Sequence, residues 1–535
     1  MPDKSTQRRE LIVRTCSGRE PEDRPPASDQ RGRRPSADMS SEQQPGQKAI
    51  EALRNWQPSV RGGTPASGST VTELATSGHH VVCALVACLG SCAAGTTLGY
   101  ASAAMPSIEH EAWYDLHHNT AESRWFADIL LLVAAPAALG AGFLLEMLGN
   151  RLMLLLSTFG LLGSWLSLLL STGTSAILVA RLMAGVFLGA ISSSAGVHVA
   201  EICPSERRAF FLGFVEVAGC AGMLLAYVLG QFFTWEIQAG FCMLPPLVLM
   251  CMQRYVLDSP QWLMRHGKKA EARAALFKFY GLDVPIEFRI RSADDIAKKN
   301  SNATPIKCAK SMALALLLQL LPELSGVRLF LMRGDQVMLS LVAETESRDA
   351  EGVLMVAGHV ALSGVFASLT RIAGRRHLLV LSAFITAVCM VALSPLKHAS
   401  IIVFDEASKA FIRFNNECSH WTVEDRPRLT DWNGIYAISL LLASYSLGLG
   451  HVPALLATEL LPGHVRCVGA GSSWAGRWFL AFLLMHEDAW LSAVASSSQG
   501  LAPGLVLVAG AMMAALVTPE TESQTLLAIE SIVCR

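Results

Sequence analysis

Apolar runs of about 20 residues, separated by short polar connections, recur from Val81 to Val517. At 1.5 Å per residue, about 20 helical residues cross the roughly 30 Å of bilayer hydrocarbon. The pattern predicts twelve spans, at about 81–101, 126–147, 152–171, 176–199, 210–232, 237–257, 311–333, 353–371, 377–395, 433–457, 467–485 and 502–518. The seventh and tenth are the least regular, because Pro322 and Pro453 fall inside them. Membrane helices tolerate proline where neighbours satisfy the freed backbone groups. The chain is organised around the seventh, whose stretch Leu316–Arg333 reads LLLQLLPELSGVRLFLMR. Each ionisable residue near the middle of such a helix costs about 2.5–3.5 kcal/mol, so Glu323 and Arg328 must be received by other helices or a watered cavity. Arg333 sits at the end, where it can snorkel. On an unbroken helix Glu323 and Arg328 lie about 140° apart. They meet only if the helix unwinds at Ser325-Gly326, so a partner on another helix, such as Glu216 for Arg328, is the cheaper arrangement.

Composition agrees with an all-α membrane protein. The 535 residues are 52% hydrophobic and 16% charged, against about 25% charged in soluble domains. A net charge of −1 says nothing about partners, and no basic patch for nucleic acid appears. The 13 cysteines are scattered, mostly in apolar runs, with no CxxC motif. They imply neither a disulfide framework nor a metal site. The pairs His79-His80 and His117-His118 lack ligand spacing, and no nucleophile–base set or phosphate loop is present. The expectation is therefore a lipid-embedded protein without cofactor or metal, and not an enzyme.

Basic residues set the orientation. Arg151, Arg207, Arg208, Arg375, Arg376 and Arg466 fall in even-to-odd connections, and 258–310 adds Arg265, Lys268, Lys269, Arg273, Lys278, Lys298 and Lys299. The positive-inside bias places both termini in the cytosol. The expected organisation is a disordered cytosolic tail (1–78), a six-helix half (79–257), a cytosolic linker (258–310) helical at least over Lys268–Lys278, a second six-helix half (311–518) and a cytosolic tail (519–535). The sequon Asn302-Ala303-Thr304 falls on the cytosolic side, where a glycan would contradict this orientation.

The halves repeat. Glu146-Met-Leu-Gly149-Asn-Arg151 follows the second span, and Arg371-Ile-Ala-Gly374-Arg375-Arg376 follows the eighth. Glu201-x-x-Pro204-x-x-x-Arg208 follows the fourth, and Glu459-x-x-Pro462-x-x-x-Arg466 closes the tenth. Two unlike motifs in the same order point to a duplicated transporter whose halves rock about a midplane site. Glutamates and arginines at facing helix ends can latch such halves. The expected pairs are Glu201 with an arginine such as Arg151, and Glu459 with Arg375 or Arg376. The glycines allow tight turns or close approach.

These motifs, with GTTLGY (95–100), AEICPSERR (200–208), Asp258-Ser-Pro-Gln-Trp-Leu263, ELSG (323–326), TELLPGHVR (458–466) and Thr518-Pro-Glu-Thr521, resemble the sugar porter family of the major facilitator superfamily over about 81–527. The likeness is strongest to arthropod facilitated glucose and trehalose transporters. It implies the major facilitator fold, alternating access and a plasma-membrane location. It also implies a sugar site of amides and an aromatic, since hydroxyls need neutral donors and acceptors. This sequence departs from that site. The family's glutamine in span five falls on Glu216, and those in span seven on Pro322 and Glu323. Its asparagines fall on Arg328 and His359, its Asn-Trp pair on Arg477-Trp478, and its tryptophan after Pro453 on Ala454. Arg371 stands where the family has an acidic residue.

Three readings follow. The solute is a sugar or polyol, with carboxylates accepting from hydroxyls. Alternatively the charges select an ionic organic solute or carry protons, with His359, Glu216 or Glu323 titrating. In the third, internal ion pairs close the cavity and the chain acts as a sensor or partner subunit. Trp478 is kept as a solute contact, and Trp125, Trp165 and Trp262 as interfacial or packing residues.

Overall fold

The computed structural model describes residues 78–109, 121–280, 305–332, 348–370, 374–391, 432–486 and 501–519, with Thr521, Gln524, Leu526, Ile529 and Glu530 beyond. The expectations for the N-terminal tail, His117-His118, Asn302, Arg333 and Arg371 lie outside the described residues.

Every regular element among the described residues is helical. The first five spans are single helices: α1 (His79–Glu109), α2 (Ala121–Leu148), α3 (Asn150–Leu169), α4 (Thr174–Ile202) and α5 (Ser205–Phe232). The sixth is broken into α6 (Trp235–Cys242), α7 (Leu244–Met252) and a 3-10 turn (Gln253–Tyr255). Pro245 and Pro246 stand in the first turn of α7, where a missing N–H costs nothing but the preceding helix cannot continue through it. These six stretches are long and apolar enough to cross a membrane. Two linker helices follow, α8 (Pro260–Arg265) and α9 (Lys269–Tyr280). Ser259 caps α8, its hydroxyl accepting from the Trp262 N–H at 3.3 Å.

The second half contains α10 (Pro305–Leu324), α11 (Val327–Met332), α12 (Arg348–Leu369), α13 (375–391), α14 (Trp432–Ser446), α15 (Val452–Leu460), α16 (Arg466–His486) and α17 (Leu501–Val517). Its seventh and tenth spans are each interrupted. Between α10 and α11, Gly326 adopts φ +67°, a conformation open to glycine at little cost. Ser325 holds this break: its hydroxyl donates to the Pro322 carbonyl at 2.6 Å and accepts from the Val327 N–H at 3.3 Å. Between α14 and α15 the chain turns at 447–451, and Pro453 again stands in a first helical turn.

The two halves meet along α2 with α16 and along α5 with α12. These contacts are equivalent under the repeat, joining the second span to the eleventh and the fifth to the eighth. Small residues bring the first pair close, as in many membrane helix crossings: a Cβ on Gly471 would lie 2.7 Å from the Gly142 Cα.

Candidate solute site and gates

Four charged side chains converge where α5, α10, α11 and α16 approach. Arg328 Nη2 lies 3.1 Å from Glu216 Oε2, and its Nε lies 3.1 Å from Glu323 Oε1. Arg477 reaches Glu323 at 2.8 Å, Glu216 at 3.5 Å and the Gln319 side-chain amide oxygen Oε1 at 2.9 Å. Both arrangements open to Arg328 from the sequence therefore occur together. It pairs across helices with Glu216, and the break at Ser325-Gly326 also brings it back to Glu323. Two arginines and two glutamates leave no net charge, which is how a low-dielectric interior tolerates four ions.

The sequence-expected residues divide by position. Glu216, Arg328 and Trp478 line a cavity with about 680 Å³ of empty space, its mouth included. Glu323, Arg477 and Gln319 are fully buried and brace the two lining charges. His359 lines a smaller second chamber. Its ring nitrogens are both engaged, Nδ1 with the Ser446 hydroxyl at 2.8 Å and Nε2 with the Cys220 thiol at 3.5 Å.

Trp474 and Gln319 escaped the sequence reading. Trp474 lines the main cavity, stacks near Trp478 at 5.7 Å and lies under the Arg477 guanidinium at 4.7 Å. Each stands four residues before a recognised position, Trp478 or Glu323, hence on the same helix face. That spacing was the available signal. Trp165 and Trp262 are buried packing residues, whereas Trp125 joins the far gate described below.

The face of the bundle that carries the linker is closed by a second set of charges. Glu201 does not meet Arg151, whose side chain is exposed. It pairs instead with Arg466 at 3.2 Å and Arg265 at 3.6 Å. Arg151 uses its backbone N–H, which donates to Asp258 at 3.1 Å. The reason is steric: Gly149, at φ +84°, turns the chain so tightly that a Cβ there would sit 3.0 Å from Asp258 Oδ1. Glu146 pairs with Arg265 at 3.2 Å, and its carbonyl accepts from the Trp262 indole at 2.8 Å. In the second half Glu459 does pair with Arg375, and also lies 3.7 Å from Arg208. Arg375 donates to Thr521 at 2.6 Å. Gly374 precedes α13 and Arg376 is half-buried in its first turn.

The opposite face is closed too. His486 of α16 meets Asp128 of α2 at 3.0 Å, and Trp125 stacks with Phe482. The Tyr227 hydroxyl of α5 donates to the Leu331 carbonyl of α11 at 3.0 Å. Among the described residues the halves thus touch above and below the cavity, an occluded arrangement.

Residues 83–533 match the family model described as "Sugar (and other) transporter". The chain belongs to this family. Among curated relatives, mouse facilitated glucose transporter member 8 of solute carrier family 2 is 27% identical over 404 residues, covering 75% of this chain and 83% of that protein. The facilitated trehalose transporter Tret1 of Culex quinquefasciatus is 24% identical over 468 residues, covering 85% and 86%. Among solved structures, the E. coli proton:xylose symporter XylE bound to 6-bromo-6-deoxy-D-glucose superposes with TM-score 0.72 at 16% identity, covering 85% and 99%. This transporter accordingly has the major facilitator fold: twelve membrane helices in two six-helix halves, joined by a helical linker. Alternating access follows from that architecture.

Proposed function

We propose that this transporter carries a neutral polyhydroxylated solute, a sugar or polyol, in the cavity bordered by Glu216, Arg328, Trp474 and Trp478. One observation carries the reading: the charges at the cavity are neutralised within the protein, two arginines against two glutamates. An ionic solute would need an uncompensated partner there. A sugar needs acceptors, donors and a flat apolar face; the carboxylate and guanidinium supply the first two and the indoles the third. The Trp478 indole N–H has no protein partner among the described residues, leaving it for a hydroxyl. Glucose and trehalose, for which the two relatives are named, are of this class.

The test is thermal stabilisation of the purified protein by neutral sugars and polyols, organic anions and organic cations. Stabilisation by the neutral set is expected; stabilisation by ions alone would overturn the reading, and binding of nothing would favour a chain that no longer transports.

Proton coupling is a second reading, favoured by Glu216. Among the described residues it is the first half's sole contribution to the lattice, and its side chain is 13% exposed where that of Glu323 is fully buried. Uptake into proteoliposomes that is indifferent to a pH gradient would exclude it. We further place the protein in the plasma membrane, with the linker face and both termini in the cytosol; Arg151, Lys268, Lys269 and Arg376 on that face support the orientation by the positive-inside bias. Asn302 should then carry no glycan.

A further inference from the structure

We infer that Cys308 is a reactive thiol of the linker face, oxidised to a sulfenic acid by hydroperoxides, with His464 as its base and Glu530 orienting the imidazole. The site is separate from the solute cavity and does not depend on which solute is carried. Cys308 lies in the first turn of α10, just before the apolar stretch of the seventh span, and is partly exposed. One turn on, the Ser311 hydroxyl donates to the Leu460 carbonyl at 3.2 Å. Residues three apart share a helix face, so this bond also sets Cys308 against the turn that joins α15 to α16.

His464 stands in that turn. Its Nε2 lies 3.2 Å from Cys308 Sγ, and its Nδ1 lies 3.9 Å from Glu530 Oε1. The Glu530 side chain is 6% exposed and that of His464 40%, so a buried carboxylate aims an open ring. Thiol and carboxylate address different nitrogens of the imidazole and cannot converge with it on one metal ion. They form instead a nucleophile, a base and an orienting acid. The arrangement is not part of the duplicated gate: His464 stands where the first-half motif has Glu206, each the fifth residue after its motif's glutamate. It does border that gate. A Cβ on Gly463 would lie 3.8 Å from both Glu530 Oε2 and Arg265 Nη1, and Arg265 holds Glu146 and Glu201.

The carboxylate beside Nδ1 favours a proton on that nitrogen, which leaves Nε2 to accept from the thiol. Sγ passes its proton to Nε2, and the thiolate, the nucleophilic form, attacks one peroxide oxygen. The S–O bond forms and the O–O bond breaks. The leaving oxygen takes the proton from His464 and departs as water, or as an alcohol from an organic hydroperoxide. Sulfur loses two electrons, the peroxide gains them, and the product is the reversible first stage of thiol oxidation.

The experiment exposes the purified full-length protein to hydrogen peroxide with dimedone present and follows labelling of Cys308 by peptide mass spectrometry. N-acetylcysteine in the same buffer supplies the unassisted rate. Cys308 should label roughly tenfold faster or more, a modest share of what a positioned base can contribute. His464→Ala should remove that advantage, and added imidazole should restore part of it, which a purely structural ring would not allow. Glu530→Gln should lower the rate by roughly threefold, with Glu530→Asp retaining more of it than Glu530→Gln and the unfolding temperature of both unchanged. A Cys308 that labels no faster than N-acetylcysteine would overturn the inference, as would a rate indifferent to loss of the His464 ring. His464→Asn carries the same expectation if the alanine variant fails to fold.

Discussion

The charges on the linker face and those at the centre are built on different plans. On the linker face the repeat is honoured reciprocally: Glu201 of the first half meets Arg466 of the second, and Glu459 of the second lies near Arg208 of the first. Each motif lends its glutamate to the other's arginine, as a pseudo-twofold axis requires. At the centre the symmetry is gone. Glu216 comes from the first half, whereas Glu323, Arg328, Arg477 and Gln319 all come from the second. Duplicated sequence thus keeps the gate symmetric, while the central charge network is drawn mostly from the second half and, among the described residues, takes a single carboxylate from the first.

The largest effect should come from breaking the centre. Glu323→Gln leaves Arg328 and Arg477 to share Glu216. Removing one partner of a buried ion set typically costs about 3–5 kcal/mol. A loss of that order is expected in denaturation of the detergent-solubilised protein, with partial recovery when Arg477→Gln is added. A Glu323→Gln protein as stable as the parent would mean that the lattice braces nothing.

The gate should respond less. Arg265 and Gln261 also contact the Glu201–Arg466 pair, Gln261 accepting from Arg466 at 2.9 Å. A double-mutant cycle of Glu201→Gln and Arg466→Gln should give a coupling of about 0.5–3 kcal/mol, the range for residues in direct contact. Each single change should also raise labelling of Cys467, buried beside the pair, by thiol reagents from the linker side. Zero coupling with unchanged labelling would make the pair a passive anchor and remove the contrast with the centre.

How much of this was legible in the sequence follows the same division. Helix period and apolar length gave the spans, and the repeated motifs gave the two halves. The lattice was half legible: an isolated charge in a membrane helix demands a partner, which pointed from Arg328 to Glu216. The sequence also named Ser325-Gly326 as the place where the helix could unwind, but took the cross-helix partner as the cheaper arrangement; that the break at Gly326 occurs as well, so that Arg328 holds two carboxylates rather than one, was visible only in the folded chain. The reciprocal gate pairs were missed because Arg151 is nearer in its motif to the first half's helix ends, whereas contact between halves depends on a symmetry axis that only the folded chain displays. Trp474 was passed over because interfacial tryptophans are common in membrane helices.

The smallest change tests where the charge network ends. Asp258, at the linker end of the first half, accepts from the Arg151 backbone N–H at 3.1 Å. Burial pushes its carboxyl up, and the Arg151 N–H only partly opposes this. A carboxyl raised on folding contributes stability below its unfolded value, and that contribution is lost as pH rises through the folded value. Asp258→Asn keeps an acceptor for the N–H and removes the buried charge. It should therefore leave stability at neutral pH within about 0.5 kcal/mol of the parent or slightly above it, and flatten the decline on raising pH from the acid side. A loss as large as that from Glu323→Gln would show Asp258 to be a working member of the gate, and the gate would then be as dependent on its full set of charges as the centre is.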